Sequence, residues 1–265
     1  MTAGAGVHQP SSTLTIDSLV VDFGGIRALD EPSFTVEPGQ ICGLIGPNGA
    51  GKTTLFNCVT RVYRPQSGAI RYGTIDLLAT IQSRIARVGI ARTFQNLGLI
   101  PSLSVGDNVL VGAHTQSRGG LLASALYLPI ARRNDRQTRL RAAAVMDRLD
   151  LLDVAEERVD AIPYGTMKRV ELARALMVSP KMLLLDEPAC GLNHDEVQEL
   201  GRIIRSLRDE LGLTVLLVEH HMSLVMSISD KVVVLDVGRK IADGTPAEVQ
   251  ADERVIDAYL GRTNA

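Results

Sequence analysis

The sequence of 265 residues contains no tryptophan, and aromatic residues make up only 3% of it. Its three cysteines, Cys42, Cys58 and Cys190, have no spacing that is typical of metal ligands, which argues against a cysteine-based metal centre. Two of them lie in apolar stretches, so we expect buried thiols in a reducing compartment rather than a disulfide framework. The formal net charge of −2 argues against a protein that binds nucleic acid through its charge.

No apolar run reaches the roughly 18 residues that a membrane-spanning helix requires. The longest candidate, residues 121–130, is too short and contains Pro129. Residues 1–12 lack the basic start and the apolar core of a signal peptide, so we expect a flexible N-terminal tail and a cytoplasmic protein. With 45% hydrophobic residues, the rest of the chain can bury the core of one large domain, with or without a subdomain.

A glycine-rich stretch at residues 46–54 is the most informative part of the sequence. It reads Gly-Pro-Asn-Gly-Ala-Gly-Lys-Thr-Thr and matches the phosphate-binding pattern G-x-x-x-x-G-K-[ST]. The apolar run at 40–45 predicts a strand before the stretch, and residues 55–59 predict an amphipathic helix after it. Because strand, glycine loop and helix form the setting that this motif requires, the stretch predicts a nucleoside triphosphate site.

The residue types in this loop suit the chemistry of phosphate binding. The glycines allow successive backbone N–H groups to point at an anion, and the start of the following helix adds positive potential. Lys52 would reach the β- and γ-phosphates, and the Thr53 hydroxyl would bind Mg²⁺. The predicted nucleotide-binding residues of the loop are Asn48, Gly49, Ala50, Gly51, Lys52, Thr53 and Thr54.

Polar residues at the ends of three further predicted strands complete a hydrolytic site. The run at 181–188 ends in Asp186, which we expect to hold Mg²⁺ through water, and Glu187, which we expect to orient or deprotonate the attacking water. His220 follows the apolar strand at 214–218 and would lie beside the γ-phosphate. Gln95 ends the strand predicted at 89–94 and is either a surface residue or a ligand of the metal or its water.

Residues 101–162 differ in character from the rest and are expected to form an inserted helical subdomain. The segment 132–152 has apolar residues at helical spacing and a dense cluster of arginines. These arginines form either a solvated face or a surface for a partner or for anionic lipid head groups.

Taken in this order, the motifs resemble those of the ATPase subunits of ABC transporters over about residues 14–261. The resemblance implies an α/β P-loop NTPase core with an antiparallel β subdomain and an inserted helical subdomain. It implies one ABC ATPase domain over residues 13–265, ending in a short helical tail at about 246–262. It also implies ATP and Mg²⁺ as ligands, and a homodimer or a heterodimer with a second ABC ATPase subunit. Integral membrane permease subunits would hold the protein on the inner face of the cell membrane.

The resemblance also suggests roles for single residues. Phe23 corresponds to the aromatic that stacks on adenine, Gln95 to the Q-loop glutamine, and His220 to the switch histidine that contacts the γ-phosphate. Residues 191–193 resemble the D-loop, with Asn193 where aspartate is commoner.

One motif departs from the family pattern. The signature, usually L-S-G-G-Q, reads Ile-Pro-Tyr-Gly-Thr at residues 162–166, so Pro163 replaces the serine that would donate to the γ-phosphate of the opposite subunit. Tyr164 and Gly165 are still expected to contact that nucleotide. Because a hydrogen bond to a charged group is worth about 1.5–3 kcal/mol, we expect the Gly165 N–H and a helix starting at Thr166 to compensate.

Within the family, the sequence is most similar to the ATPase subunits of branched-chain amino-acid importers. The segments that carry this similarity are 22–29, 45–57, 91–96, 163–165, 218–226 and 244–261. His221 departs from that branch, where aspartate is more usual. Two alternatives share the catalytic motifs, namely a soluble ABC ATPase of iron–sulfur cluster assembly and the ATPase of a lipid exporter. The transported solute does not follow from these residues.

Overall fold

The computed structural model describes residues 12–93, 97–113 and 129–260, with the backbone alone at 129–135 and at 260. Five of its strands form an antiparallel sheet in the order β2-β1-β5-β6, and β3 pairs with the first residues of β1 on the edge opposite β5. These strands are β1 Leu14–Phe23, β2 Ile26–Asp30, β3 Phe34–Val36, β5 Ser67–Tyr72 and β6 Ile75–Asp76. This sheet is the antiparallel β subdomain that the resemblance implied.

The sequence pattern at residues 28–36 predicts one continuous strand, but this prediction is wrong, because the chain turns between β2 and β3. Glu31 has a left-handed backbone with φ of 57°, which an extended strand does not accommodate. Pro32 follows and has no N–H to donate to a neighbouring strand.

The larger sheet is parallel apart from one edge strand and runs in the order β11-β10-β4-β9-β8-β7. Its strands are β4 Ile41–Ile45, β7 Ile90–Arg92, β8 Met182–Asp186, β9 Thr214–Val218, β10 Lys231–Asp236 and β11 Arg239–Gly244. Every residue of β4, β8 and β9 is buried, which explains why these strands read as continuous apolar runs in the sequence.

Alternate residues of the parallel strands point into two separate hydrophobic clusters, one on each face of the sheet. Ile41, Leu183 and Val215 belong to the cluster that includes the long helices. Cys42, Leu184 and Leu216 belong to the cluster that includes β1 and the helix after the glycine loop. The sheet is therefore packed on both faces, and its strand ends are the part left for polar residues.

Polar side chains cap the starts of two helices. Ser104 accepts a hydrogen bond from the Asp107 N–H at 3.1 Å, and Asn193 and Glu196 form a capping box. No helix among the described residues is long and apolar enough to cross a membrane. The helices are α1 Lys52–Val59, α2 Ile85–Val88, α3 Val105–Val111, α4 Pro129–Arg148, α5 Tyr164–Leu176, α6 His194–Leu211, α7 Met222–Ile228, α8 Pro246–Ala251 and α9 Glu253–Leu260.

Two helix boundaries differ from the prediction. The helix expected to start at Thr166 starts at Tyr164, because the carbonyl oxygen of its N-cap residue, Pro163, already accepts a helical hydrogen bond from the Met167 N–H at 3.0 Å. The helical tail expected at about 246–262 consists of two helices divided at Asp252, whose backbone is extended. The Asp252 carboxylate accepts from the Arg254 N–H at 2.9 Å and so caps the second helix.

The burial predicted for two of the three cysteines is confirmed. Cys42 and Cys58 are buried, as expected, and burial raises the pKa of their thiols to about 12 and about 11. Cys190, in the segment after Glu187, is exposed instead. The thiolate is the reactive form of cysteine, so the two buried thiols should be inert.

We therefore expect one thiol per native chain to react with a bulky thiol reagent at pH 8, and three after denaturation. The Cys190→Ser variant should give no reaction in the native state, and absorbance of the released chromophore measures both stoichiometries. Rapid labelling of the native Cys190→Ser chain would contradict the burial of Cys42 and Cys58.

Candidate functional site

The candidate site lies where three parallel strands end side by side. Leu44 of β4 pairs with Val218 of β9, and Val218 pairs with Asp186 of β8. The residues that follow these strands are the glycine loop, Glu187 and the segment beginning at Glu219. In parallel α/β sheets, ligands bind outside the carboxyl ends of the strands, so these three segments meet at the edge where a ligand is expected.

Two glycines of the loop occupy positions that other residues could not. Gly46 has φ of 149° and Gly51 has φ of 99°, both unfavourable for residues with a side chain. A Cβ atom on Gly46 would collide with the carbonyl oxygen of Leu235, and one on Gly51 would lie 2.5 Å from the carbonyl oxygen of Ala28. The loop backbone is thus held against neighbouring strands and leads directly into α1.

Lys52 is held at the centre of this loop. Its side chain is buried, and its Nζ donates to the carbonyl oxygens of Gly46 at 2.6 Å and Pro47 at 2.9 Å. Burial lowers the pKa of Lys52, while the charge of the Glu187 carboxylate acts in the opposite direction. Lys52 and Glu187 therefore interact electrostatically although they are far apart in sequence.

The other predicted loop residues differ in accessibility. Asn48 and Gly49 at the tip of the loop are exposed, as is Thr53 in the first turn of α1, whereas Thr54 is half-buried. Ala50 is buried, and its N–H donates to the Pro47 carbonyl oxygen at 3.1 Å. A phosphate contact from the Ala50 N–H would require that bond to change.

Phe23 lies at the end of β1 with 45% of its surface exposed. Its ring packs edge-on against that of Tyr63, with 5.1 Å between the ring centroids. The exposed part of the Phe23 ring is available for stacking on a flat ligand.

Asp186 ends β8, and its carboxylate is paired with an arginine to which the sequence analysis gave no role. Asp186 is 1% exposed, and its Oδ2 lies 2.5 Å from Nη2 of Arg92, the last residue of β7. Arg92 also donates to Asn57 Oδ1 at 2.7 Å and to Thr60 Oγ1 at 3.1 Å. The other oxygen of Asp186, Oδ1, is buried and has no hydrogen-bond partner among the described residues.

Glu187 and His220, which follow different strands, are brought into contact. His220 Nε2 lies 2.7 Å from Glu187 Oε1. Glu187 has a left-handed backbone with φ of 48°, and its N–H donates to the Val218 carbonyl oxygen at 2.9 Å. Strained backbone of this kind is concentrated at functional sites, because the surrounding contacts must hold it in place.

Glu219 is a second residue that the sequence analysis missed. It is 1% exposed, and its Oε1 accepts from the Ala189 N–H at 2.6 Å. Its Oε2 accepts from the N–H groups of His220 at 2.9 Å and His221 at 3.2 Å. Its position beside His220 at a strand end was the only signal in the sequence.

The residues of the signature segment form a second group around the first turn of α5. Tyr164 is 43% exposed, and a Cβ atom on Gly191 would lie 2.9 Å from its ring. The Lys168 ammonium lies 5.6 Å from the centroid of the Tyr164 ring. Gly165 packs closely on α6, because a Cβ there would be 2.7 Å from Oε1 of Glu196.

Two further residues complete the account of the site. Gln95 lies outside the described residues, so its role stays a prediction. Tyr259 of α9, in the C-terminal tail, packs against the hydrophobic cluster that contains Ile45 of β4, and burial raises the pKa of its phenol to about 12.

The chain is similar to known proteins over most of its length. The sequence profile of the family described as ABC transporter matches residues 29–190, and that described as Branched-chain amino acid ATP-binding cassette transporter matches residues 239–263. The high-affinity branched-chain amino acid transport ATP-binding protein BraF of Pseudomonas aeruginosa is 42% identical over 248 residues, which are 94% of this chain and 97% of that protein.

Two other similarities cover as much of the chain. The lipopolysaccharide export system ATP-binding protein LptB of Escherichia coli is 36% identical over 251 residues, or 94% of this chain and 98% of that protein. Among solved structures, an ATP-binding cassette of an ABC transporter in its ADP conformation has a TM-score of 0.83 at 29% identity. The matched region covers 94% of this chain and 99% of the chain in that structure.

The contribution of the ion pair between Arg92 and Asp186 to stability can be tested without a ligand. Arg92→Met should lower the free energy of unfolding by about 3–5 kcal/mol, because it leaves the buried Asp186 carboxylate without its counter-charge. Urea denaturation measures this loss. The matched control is Arg148→Met, which removes a more exposed ion pair with Glu210 and should cost about 1 kcal/mol or less. Equal losses in the two variants would show that the buried pair does not stabilise the site.

Proposed function

The chain belongs to the ABC transporter family of ATP-hydrolysing subunits, and we propose that it powers an importer of branched-chain amino acids or of related amino acids and amides. The observation that carries the ATP-hydrolysing part of this proposal is the arrangement of the glycine loop, Glu187 and His220 at adjoining strand ends. The assignment to an importer is supported by the similarity to BraF, which exceeds that to LptB, and by the match of the C-terminal residues.

In the proposed reaction, ATP enters between Phe23 and the glycine loop. Adenine stacks on the exposed face of Phe23, and the loop amides from Asn48 to Thr54 surround the phosphates. Lys52 exchanges its two carbonyl partners for the β- and γ-phosphate oxygens. This exchange is favourable because a hydrogen bond between two charged groups is stronger than one to a neutral carbonyl.

The side chains present also fit a magnesium ion. Mg²⁺ is usually held by one or two carboxylates, waters and substrate phosphates, and the buried, unpartnered Oδ1 of Asp186 supplies such a carboxylate oxygen. Among the described residues, no group of three or more His, Cys, Asp or Glu side chains could hold a metal by itself. Thr53, Asp186 and Gln95 would hold the ion, which would neutralise charge on the phosphates.

Hydrolysis is proposed to follow by attack of water on the γ-phosphorus. Glu187 orients the water and takes its proton, while the bond from the γ-phosphorus to the β–γ bridging oxygen breaks and releases ADP and phosphate. His220, which contacts Glu187, and Gln95 sense the γ-phosphate. Tyr164 and Gly165 of one subunit are proposed to contact the ATP that a second ATPase subunit holds.

We further propose that the dimer is attached to the inner face of the cell membrane through permease subunits. The permeases would provide the solute path, and residues 101–162 would form the helical subdomain of each ATPase subunit. In this arrangement the solute does not contact the chain, so the identity of the solute is a property of the partners.

Replacing Lys52 tests nucleotide binding. Lys52→Ala should weaken ATP binding about 10- to 100-fold, since a hydrogen bond to a charged group is worth about 1.5–3 kcal/mol. Titration with a fluorescent ATP analogue measures this. The control Lys240→Ala removes a lysine paired with Asp243 on β11 and should bind as the unmodified chain does. Unchanged affinity in Lys52→Ala would remove the loop lysine from the proposed site.

Replacing Glu187 tests hydrolysis separately from binding. Glu187→Gln should bind ATP, form a long-lived dimer with ATP and hydrolyse it at least about 100-fold more slowly, because the amide cannot accept the proton from water. Phosphate release measures hydrolysis, and size-exclusion chromatography with light scattering measures the dimer. Normal turnover would show that another group acts as the base.

The import proposal is tested by the partners of this slowly hydrolysing variant. Tagged Glu187→Gln protein with ATP should recover two polytopic permeases and an ATPase subunit from detergent-solubilised native membranes, as identified by mass spectrometry. Recovery of lipid-export components would instead favour the function that the name of LptB describes. Recovery of soluble scaffold proteins alone would contradict the transport proposal.

A further inference from the structure

The buried carboxylate of Glu219 is stabilised by backbone N–H groups rather than by an ion pair. Its side chain is 1% exposed, and it forms no ion pair with a lysine, arginine or histidine in the described part of the chain. Burying an ionised carboxylate is costly unless hydrogen bonds replace the lost water. Three backbone N–H groups supply them here, at 2.6, 2.9 and 3.2 Å.

The three donors belong to two segments that are separate in sequence. Oε1 accepts from Ala189, two residues after Glu187, while Oε2 accepts from His220 and His221, which precede α7. The segment after Glu187 is itself a tight turn, because the Cys190 N–H donates to the Glu187 carbonyl oxygen at 3.1 Å. The carboxylate of Glu219 thus joins the turn that carries Glu187 to the segment that carries His220.

These contacts form a closed ring. The backbone connects Glu187 to Ala189, and the Ala189 N–H donates to the Glu219 carboxylate. The backbone then connects Glu219 to His220, the next residue. The ring closes through the 2.7 Å contact between the side chains of His220 and Glu187. A displacement of either segment would lengthen one of these bonds, so the separation of the Glu187 and His220 side chains depends on Glu219.

We infer that Glu219 is a positioning residue, which fixes Glu187 and His220 relative to each other through the backbone of both segments. The inference rests on the proposed roles of Glu187 and His220 in ATP hydrolysis. Glu219 itself need not touch the nucleotide. Its loss should therefore lower the rate of hydrolysis more than the affinity for ATP, since the loop and Phe23 keep their own contacts.

The isosteric variant Glu219→Gln separates the two connections. An amide has one acceptor oxygen, so its NH₂ group must face either the Ala189 N–H or the N–H groups of His220 and His221. One segment is then released, and a buried donor loses its partner. We expect kcat to fall by at least about tenfold while KM for ATP changes by less than about threefold.

Amide hydrogen exchange gives a readout independent of turnover. In Glu219→Gln, exchange should become faster at residues 187–192 or 219–222, with the glycine loop unchanged. Glu219→Asp serves as the second variant if Glu219→Gln does not fold. It keeps the charge but is shorter by one carbon–carbon bond, about 1.5 Å, and should not restore kcat, because its oxygens cannot reach both segments.

The matched control is Glu248→Gln, at the exposed start of α8, where another carboxylate accepts from a backbone N–H, that of Thr245 at 2.8 Å. It should leave kcat and KM unchanged. Equal kcat in the unmodified chain and in Glu219→Gln, or restoration of kcat by Glu219→Asp, would overturn the inference. A parallel loss of ATP affinity and kcat would overturn it too, by indicating a general structural role. Absence of ATP hydrolysis in the unmodified chain would instead contradict the proposed function.

Discussion

Three buried charges at the ends of parallel strands determine the arrangement of this site. Lys52 is 5% exposed, and Asp186 and Glu219 are each 1% exposed, so each must find a substitute for water inside the protein. Each does so differently. Lys52 uses two backbone carbonyls, Asp186 uses an arginine, and Glu219 uses three backbone amides. Arg92 and Ala189 lie on segments distant in sequence from Asp186 and Glu219, so compensation of these two charges also fixes neighbouring segments relative to one another.

The same contacts account for how the site could respond to ATP. The bonds of Lys52 to carbonyl oxygens can be exchanged for stronger ones to phosphate, and Asp186 keeps one oxygen without a partner among the described residues. By contrast, the ring through Glu187, Ala189, Glu219 and His220 is complete before any ligand is bound. Lys52 can therefore exchange its hydrogen-bond partners when ATP binds, whereas Glu187 and His220 are already in contact. Because this proposed hydrolytic pair is in place beforehand, less reorganisation is required during the reaction.

The sequence predicted those features that depend on local patterns. β9 has the predicted bounds 214–218, and the glycine loop lies between a strand and a helix, because apolar runs and glycine spacing are properties of neighbouring residues. The missed features depend on distant contacts. The pairing of Arg92 with Asp186 spans 94 residues, and the bond of Glu219 to Ala189 spans 30. The break between β2 and β3 was missed for a local reason, since the left-handed backbone of Glu31 has no marker in its residue type.

The central claim is that the three strand-end segments form one nucleotide site. Hydrogen exchange measured by mass spectrometry on the unmodified chain, with and without ATP and Mg²⁺, tests this most directly. The account predicts that nucleotide slows exchange together at residues 46–54, 186–190 and 219–222, while α3 serves as an internal reference. Slowing at 46–54 alone, or at none of the three segments, would contradict the claim.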